Sequence, residues 1–277
     1  MNTETLTVYK ANKLIEASYQ AITLSEQLML LACISKCDPD TLTADTAVTL
    51  TVSAFADLAD IEATDAYDDM KGAAERLFGR YLVIDSPDPD NPRLTRTRTR
   101  WVHSIDYYDG EGTVCLYFSP KVLPYLTQLQ GQFTKYKLQH VAQFRSKYGI
   151  RLYELLVQWQ GRGNREIEID WLREHWELTT KYKALKDLKK WVIDPAVRDI
   201  NEYSNLWVKY GQRKAGRRVI ALQFQFGIKE QEPTDSASTQ PHKLTRAYIE
   251  KHARPGETWE EAKARLRTTR TKPPPTK

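Results

Sequence analysis

Residues 179–203, TTKYKALKDLKKWVIDPAVRDINEY, decide the fold. Thr179 and Thr180 are candidate helix caps, because a hydroxyl oxygen accepts one of the unpaired first-turn N–H groups. After them Leu185, Leu188 and Val192 recur at helical spacing and mark one buried face. Lys183, Lys186 and Lys190 recur at the same spacing on the other side, with Asp187 among them. The pattern predicts a helix over 179–193 with an apolar back and a lysine-bearing front. Asp194-Pro195 reads as a break, with Pro195 opening a second short helix, since proline is tolerated at a first helical position. Taken alone, the front is the solvated face of an ordinary amphipathic helix. Its surroundings give it another role.

Upstream, 144–160 reads as a helix with Tyr148, Leu152, Leu155, Leu156 and Trp159 as its apolar set. A short strand over 166–169 follows, then a helix over 171–176 with Asp170 as its cap. Downstream, 206–210 reads as a strand, GQRKAGRR (211–218) as a glycine-flanked basic turn, and 219–226 as the returning strand. This order is that of a winged helix. The opening helix holds the recognition position of a helix-turn-helix, and the basic turn is the wing.

The same order stands earlier in the chain. Helices are expected over 9–18 and 25–37, the second capped by Ser25. Val48, Leu50 and Val52 alternate as a half-buried strand. Helices over 55–59 and 64–78 follow, the latter burying Tyr67, Met70, Ala74 and Leu77. Strands are expected over 81–84, 94–105 and 113–118, with the prolines of SPDPDNP (86–92) making a turn. The expected fold class is therefore α+β, with two tandem winged-helix domains over 1–134 and 135–228, joined near Gln130 to Lys135, and a flexible tail over 229–277. Within that tail, 230–240 reads as a polar linker. Short helices are expected over 243–251 and 259–266, with Thr258 and Glu261 as a capping box for the second, and 268–277 as disordered.

The chain has 277 residues with 41 basic and 36 acidic side chains, a net charge of +5. The distribution is uneven: residues 1–134 carry a net −8, residues 135–228 a net +9 and the remainder +4. An acidic half followed by a basic half points to two domains, the basic one facing a polyanion. No apolar run approaches the roughly 18 residues of a membrane span, and no secretory leader is evident at the N-terminus. The three cysteines Cys33, Cys37 and Cys115 make no disulfide framework and no zinc set, and read as reduced core residues of a cytoplasmic protein.

The chemistry fits duplex DNA. Lys183, Lys186 and Lys190 would face the major groove, which admits a helix. Thr179, Thr180 and Lys181 lie where such a helix begins, the part that reaches base edges. Asp187 either accepts from a cytosine amino group or pairs with Lys183 or Lys190 along the helix, the pairing being favoured. Arg213, Lys214, Arg217 and Arg218 on the wing suit phosphates; the plainer alternative is a solvated hairpin tip. In the first half Arg96, Arg98 and Arg100 alternate with threonines, which puts all three on one strand face. They are either phosphate contacts or partners of nearby acids. The helix over 64–78 carries Asp65, Asp68, Asp69 and Glu75, which phosphate would repel, so it suits protein contact better than groove entry. The GxxxxGK[ST] phosphate loop is absent. The five histidines are scattered, and none is paired to hold a metal beside a nucleophilic tyrosine. No catalytic residue, metal or cofactor is expected.

SKYGIRLYELLVQW (146–159), LKDLKKWVIDPAVRDINEYSNLWVKY (185–210) and KAGRRVIALQFQF (214–226), with VYKANKLIEASYQAITLSEQLMLL (8–31), resemble the initiator Rep proteins of iteron-bearing, theta-replicating plasmids. The likeness covers roughly 5–228. It implies two winged helices, the second reading repeated origin sites and the first supporting a homodimer and added DNA contacts. It also implies monomers that bind origin repeats, help melt the origin and recruit the host replication initiator and helicase, and dimers that repress the protein's own gene. A winged-helix transcriptional repressor would use the same DNA chemistry. Binding to tandem direct repeats rather than to a palindrome separates the two.

Overall fold

Two strands that lie more than a hundred residues apart open and close the first half. In the computed structural model, which describes residues 3–20, 22–88, 91–127 and 132–229, β1 (Thr7–Ala11) pairs antiparallel with β8 (Phe133–Lys137), Val8 opposite Tyr136. The sequence predicted a helix over 9–18. The local pattern could not reveal a partner so distant, and only Asn12–Glu16 forms a helix, α1, followed by the two-residue strand β2 (Ser18–Tyr19). The tail expectations over 230–277, both helices and the capping box included, lie outside the described residues.

The rest of the first half follows the expected order. Helix α2 (Leu24–Lys36) starts at Thr23, not Ser25. The Thr23 hydroxyl accepts from Glu26 N–H while the Glu26 carboxylate accepts from Thr23 N–H, a reciprocal cap that satisfies two orphan donors. Then come β3 (Val48–Thr51), α3 (Val52–Ala59), α4 (Ala63–Gly79) and β4 (Tyr81–Asp85). The single strand expected over 94–105 is two, β5 (Arg96–Arg100) and β6 (Val102–Tyr108), because the ring of Trp101 turns into the core between them. β5 joins β2 and β4 in one sheet, and β6 joins β3 and β7 (Thr113–Phe118) in another, in the order β3-β7-β6. Short helices α5 (Pro124–Thr127) and α6 (Gln139–Ala142) flank β8. The expected boundary between residues 134 and 135 thus falls inside a paired strand.

The second half is a complete winged helix: α7 (Lys147–Val157), β9 (Asn164–Glu168), α8 (Ile169–His175), a long helix, then β10 (Leu206–Ala215) and β11 (Arg218–Ile228), with strand order β10-β11-β9. Asp170 does not cap α8. Glu168 holds the N-cap position without a side-chain bond, and Asp170 lies within the first turn. The core takes one face of each element, including Leu152, Leu156, Leu172, Leu188, Val192, Ile200, Leu222 and Phe224, all buried. Each such side chain contributes roughly 1.5–3 kcal/mol on burial.

Residues 1–229 form one compact unit, and α7 is its axle. The Asp199 carboxylate, buried on the long helix, accepts from the backbone N–H groups of Arg145 and Ser146 at the start of α7. Gly149 lets the two helices approach this closely, since a Cβ there would meet Phe144 Cδ2 at 2.9 Å and Asp199 Oδ2 at 3.0 Å. On its other side α7 is stapled to the first half. Glu154 accepts from Lys10 Nζ at 2.7 Å and from the Tyr136 hydroxyl at 2.5 Å, with all three side chains buried. Arg151 donates to the carbonyls of Ala17 and His175, with its guanidinium 3.7 Å from the Tyr19 ring centroid. Buried ionic groups of this kind are costly unless fully paired, so these contacts fix how the halves meet.

Candidate nucleic-acid interface

The long helix differs from its expected form at both ends. It runs from Leu185 to Tyr203 as α9 (Leu185–Leu188), a π-helical turn (Lys189–Ile193) and α10 (Asp194–Tyr203). It does not begin at Thr179. Tyr182 has φ +51°, a left-handed conformation that no right-handed helix passes through. Thr179, Thr180, Lys181 and Lys183 therefore sit on an exposed loop, and Ala184 takes the cap position with no side-chain bond. Nor does the helix break at Asp194-Pro195. Pro195 has no N–H to donate to the preceding turn, and that turn widens instead: Asp194 N–H reaches back to the carbonyl of Lys189. π turns of this sort recur at functional positions.

The buried stripe matches the sequence reading, with Leu188 and Val192 inside and Leu185 half-buried. Lys186, Asp187 and Lys190 are exposed on the helix. The favoured pairing of Asp187 with Lys183 or Lys190 does not form: Lys183 lies off the helix, and among the described residues Asp187 makes no ion pair. Trp191, which the sequence reading passed over, is 55% exposed beside Lys190, whose ammonium lies 4.6 Å from the indole centroid. Its signal was present, an indole on the lysine side of a helix. A cavity of about 350 Å³ lies next to it, lined by Arg145, Ser146, Lys147, Trp191, Arg198 and others.

The wing is longer and tighter than expected. β10 and β11 run to Ala215 and Arg218, and the turn is Gly216-Arg217, with Gly216 at φ +61°, where glycine avoids a Cβ clash. A register shift between Arg213 and Lys214 twists the tip. Arg213 pairs with Glu166 at 2.8 Å, and this bond holds the Glu166 carboxyl below its usual range. Arg218 pairs with Asp170 at 3.1 Å, both largely exposed. Lys214 and Arg217 make no ion pair among the described residues and are exposed. Exposed pairs are worth little, so Arg218 can exchange its acid for a phosphate.

In the first half Arg96, Arg98 and Arg100 do share the exposed face of β5. Arg96 pairs with Asp85 at 2.8 Å, whereas Arg98 lies 3.8 Å from the Tyr81 ring centroid and Arg100 lies 5.1 Å from that of Phe78. Further cations, not anticipated from the sequence, gather nearby. Glu26, fully buried, holds Arg76 Nε and Arg80 Nε, each at 2.9 Å. Burial lowers the Lys147 ammonium pKa, and the charges of Lys181 and Arg80 lower it further. The buried Glu26 carboxylate thus stands against Arg76, Arg80 and Lys147, drawn from both halves. The acids Asp65, Asp68, Asp69 and Glu75 are exposed on α4, the first three away from its arginine-bearing end in sequence and Glu75 beside Arg76.

No three His, Cys, Asp or Glu among the described residues are grouped to hold a metal ion. The three cysteines are free thiols, and burial pushes Cys33 and Cys37 up to about 12. No helix of the described residues is long and apolar enough to cross a membrane.

A family model described as Initiator Replication protein, WH1 matches residues 7–157, and one described as Initiator Rep protein, WH2 matches residues 168–226. A replication initiation protein of Escherichia coli is 30% identical over 234 residues, which is 82% of this chain and 71% of that protein. An uncharacterized 27.6 kDa protein of Escherichia coli is 26% identical over 225 residues, 78% of this chain and 93% of its own length. The Pi initiator protein, whose crystal structure is a complex with iteron DNA, aligns with a TM-score of 0.70 over 83% of this chain and 100% of that one. At 20% identity that likeness is one of fold.

Proposed function

Since the chain belongs to the Initiator Replication protein family, we propose that it initiates plasmid replication by binding direct repeats at the origin as duplex DNA. The observation that carries this reading is that Lys186 and Lys190 are exposed on the long helix beside a wing whose Lys214 and Arg217 make no ion pair among the described residues. The helix enters the major groove, with Lys186, Asp187, Lys190 and Trp191 toward base edges. Thr179, Thr180, Lys181 and Lys183 approach from the preceding loop. The wing residues Arg213, Lys214, Arg217 and Arg218 take phosphates, which position the protein without reading sequence. Arg98 and Arg100, with Arg96 once released from Asp85, extend the phosphate contacts into the first half.

In this reading residues 135–228 recognise DNA, and residues 1–134 add phosphate contacts and support a homodimer. Exposed acids on α4 and the edge of β6, unpaired among the described residues, favour protein contact there. The protein acts by binding rather than by covalent chemistry. Bending a short site costs on the order of 1–6 kcal/mol, which several phosphate contacts offset, and tandem repeats multiply the distortion. Recruitment of the host initiator and helicase, and repression by dimers, belong to the same proposal.

Footprinting of the full chain on DNA flanking its own gene tests it. Protection of tandem direct repeats, with permanganate reactivity in adjacent DNA without ATP or metal, is the expected result. Protection of a single palindrome would favour a repressor, and strand cleavage or a covalent tyrosine adduct would refute action by binding.

A further inference from the structure

The loop ahead of the long helix carries Lys181 and Lys183 on a backbone that should not hold its shape unaided. Glu177 and Tyr182 both have φ +51°, a conformation in which a Cβ crowds the following carbonyl. Lys181, Lys183 and Lys186 lie within a few residues of one another and repel. The Lys147 ammonium is close enough to Lys181 to feel its charge. Yet one side chain gathers this segment. Arg173, on α8, donates from Nη2 to the carbonyl of Tyr182 at 2.8 Å and to that of Lys183 at 3.0 Å, and from Nη1 to that of Lys181 at 3.3 Å. Its own carbonyl accepts from Leu178 N–H at 2.7 Å. Arg173 therefore ties the loop at its start through the backbone and at its end through the guanidinium.

We propose that Arg173 is a positioning residue for sequence recognition: its planar fork holds Lys181, Tyr182 and Lys183 in the DNA-ready conformation before DNA arrives. The inference rests on the DNA-binding reading above. The chemistry calls for arginine. Its fixed fork presents several donors in one plane, whereas a lysine ammonium is a single point charge on a flexible stem. A loop ordered in advance forfeits less freedom on binding, and that saving is larger at a specific site, where the loop must adopt one geometry, than on random DNA.

The test uses the full chain with Arg173→Gln and Arg173→Lys. The DNA probes are the duplex that the wild type selects from a random pool and a scrambled duplex of equal length. Native-state trypsin digestion supplies a readout that needs no DNA, because the loop contains the bonds after Lys181 and Lys183. The wild type should resist cleavage there, and both variants should be cut, with melting temperatures showing that each remains folded. Both should lose about tenfold in affinity for the selected duplex, equivalent to one ordering contact, and much less for the scrambled one. If Arg173 touches phosphate instead, Arg173→Lys will keep its binding, both DNAs will suffer alike from Arg173→Gln, and the salt slope will fall by about one; that result overturns the proposal. Unchanged trypsin resistance, or cleavage with no change in binding, also overturns it. A wild type that selects no duplex at all would sink the DNA-binding reading, while the digestion would still report whether Arg173 orders the loop.

Discussion

The carboxylate of Asp199 accepts the backbone N–H of Ser146 at 2.6 Å, so a side chain on the long helix holds the residue whose hydroxyl caps α7. It also takes Arg145 N–H at 3.0 Å. Burial raises the Asp199 carboxyl above its usual range, and the two N–H donors partly oppose the rise. Asp199→Ala should cost about 1–3 kcal/mol by urea unfolding, because two N–H groups lose their acceptor. Asp199→Asn keeps an oxygen with two lone pairs and should cost much less. The sign with pH follows from the raised value. Wild-type stability from this group is fully present below the unfolded carboxylate pKa and is lost as pH rises through the folded one. The non-titrating Asn variant should therefore gain on the wild type across that interval and hold a constant offset above it.

Gly149→Ala should destabilise the second half without touching a DNA-facing residue. The added methyl meets the Phe144 ring and the Asp199 carboxylate, and overpacking of this kind costs about 1–3 kcal/mol. A melting temperature equal to that of the wild type would show that α7 and α10 can separate freely.

Glu26→Gln should reduce acid sensitivity while lowering stability at neutral pH. Burial alone would raise this carboxyl, but hydrogen bonds from Arg80, the Thr23 backbone and Arg76 outweigh it and hold the group below its usual value. Stability from a lowered acid is present above the unfolded pKa and lost as pH falls through the folded one. The variant should be about 1–3 kcal/mol less stable near neutrality, toward the lower end because Arg76 is half exposed and screened. The gap should close as pH falls below the carboxylate range, which thermal melts across pH will show.

Wing and helix should fail differently. Lys214→Ala and Arg217→Ala should weaken selected and scrambled duplexes alike and each reduce the salt slope by about 0.9. Arg213→Ala should do less, since Arg213 already spends its charge on Glu166. Lys186→Ala or Lys190→Ala should weaken the selected duplex more, by roughly 1–3 kcal/mol if a base contact is lost. Equal loss on both DNAs in a filter-binding titration would reassign the lysines to the backbone.

How much of this was legible depended on distance along the chain. The stripe of Leu188 and Val192, the wing hairpin and the face shared by Arg96, Arg98 and Arg100 are set by neighbours, and periodicity reveals them. The true start of the long helix was not legible, because threonines that look like caps lie before a Tyr182 whose left-handed backbone depends on Arg173. Pro195 signals a break only if the helix must stay α; a π turn absorbs the missing donor. β1 and the arginines gathered around Glu26 depend on partners fifty to more than a hundred residues away, which no local window contains.

The tie between Lys10 and Glu154 has a consequence in time. Their separation of 144 residues means that a ribosome adding about 5–20 residues per second needs on the order of ten seconds to deliver the acid after the lysine. Until late in that interval β1 has no β8 to pair with, and to its end Lys10 has no acid. The first half cannot reach its final form on the ribosome until the opening of the second, through α7, has been made, so a chain released before that carries an open strand edge, a surface open to aggregation and to proteases.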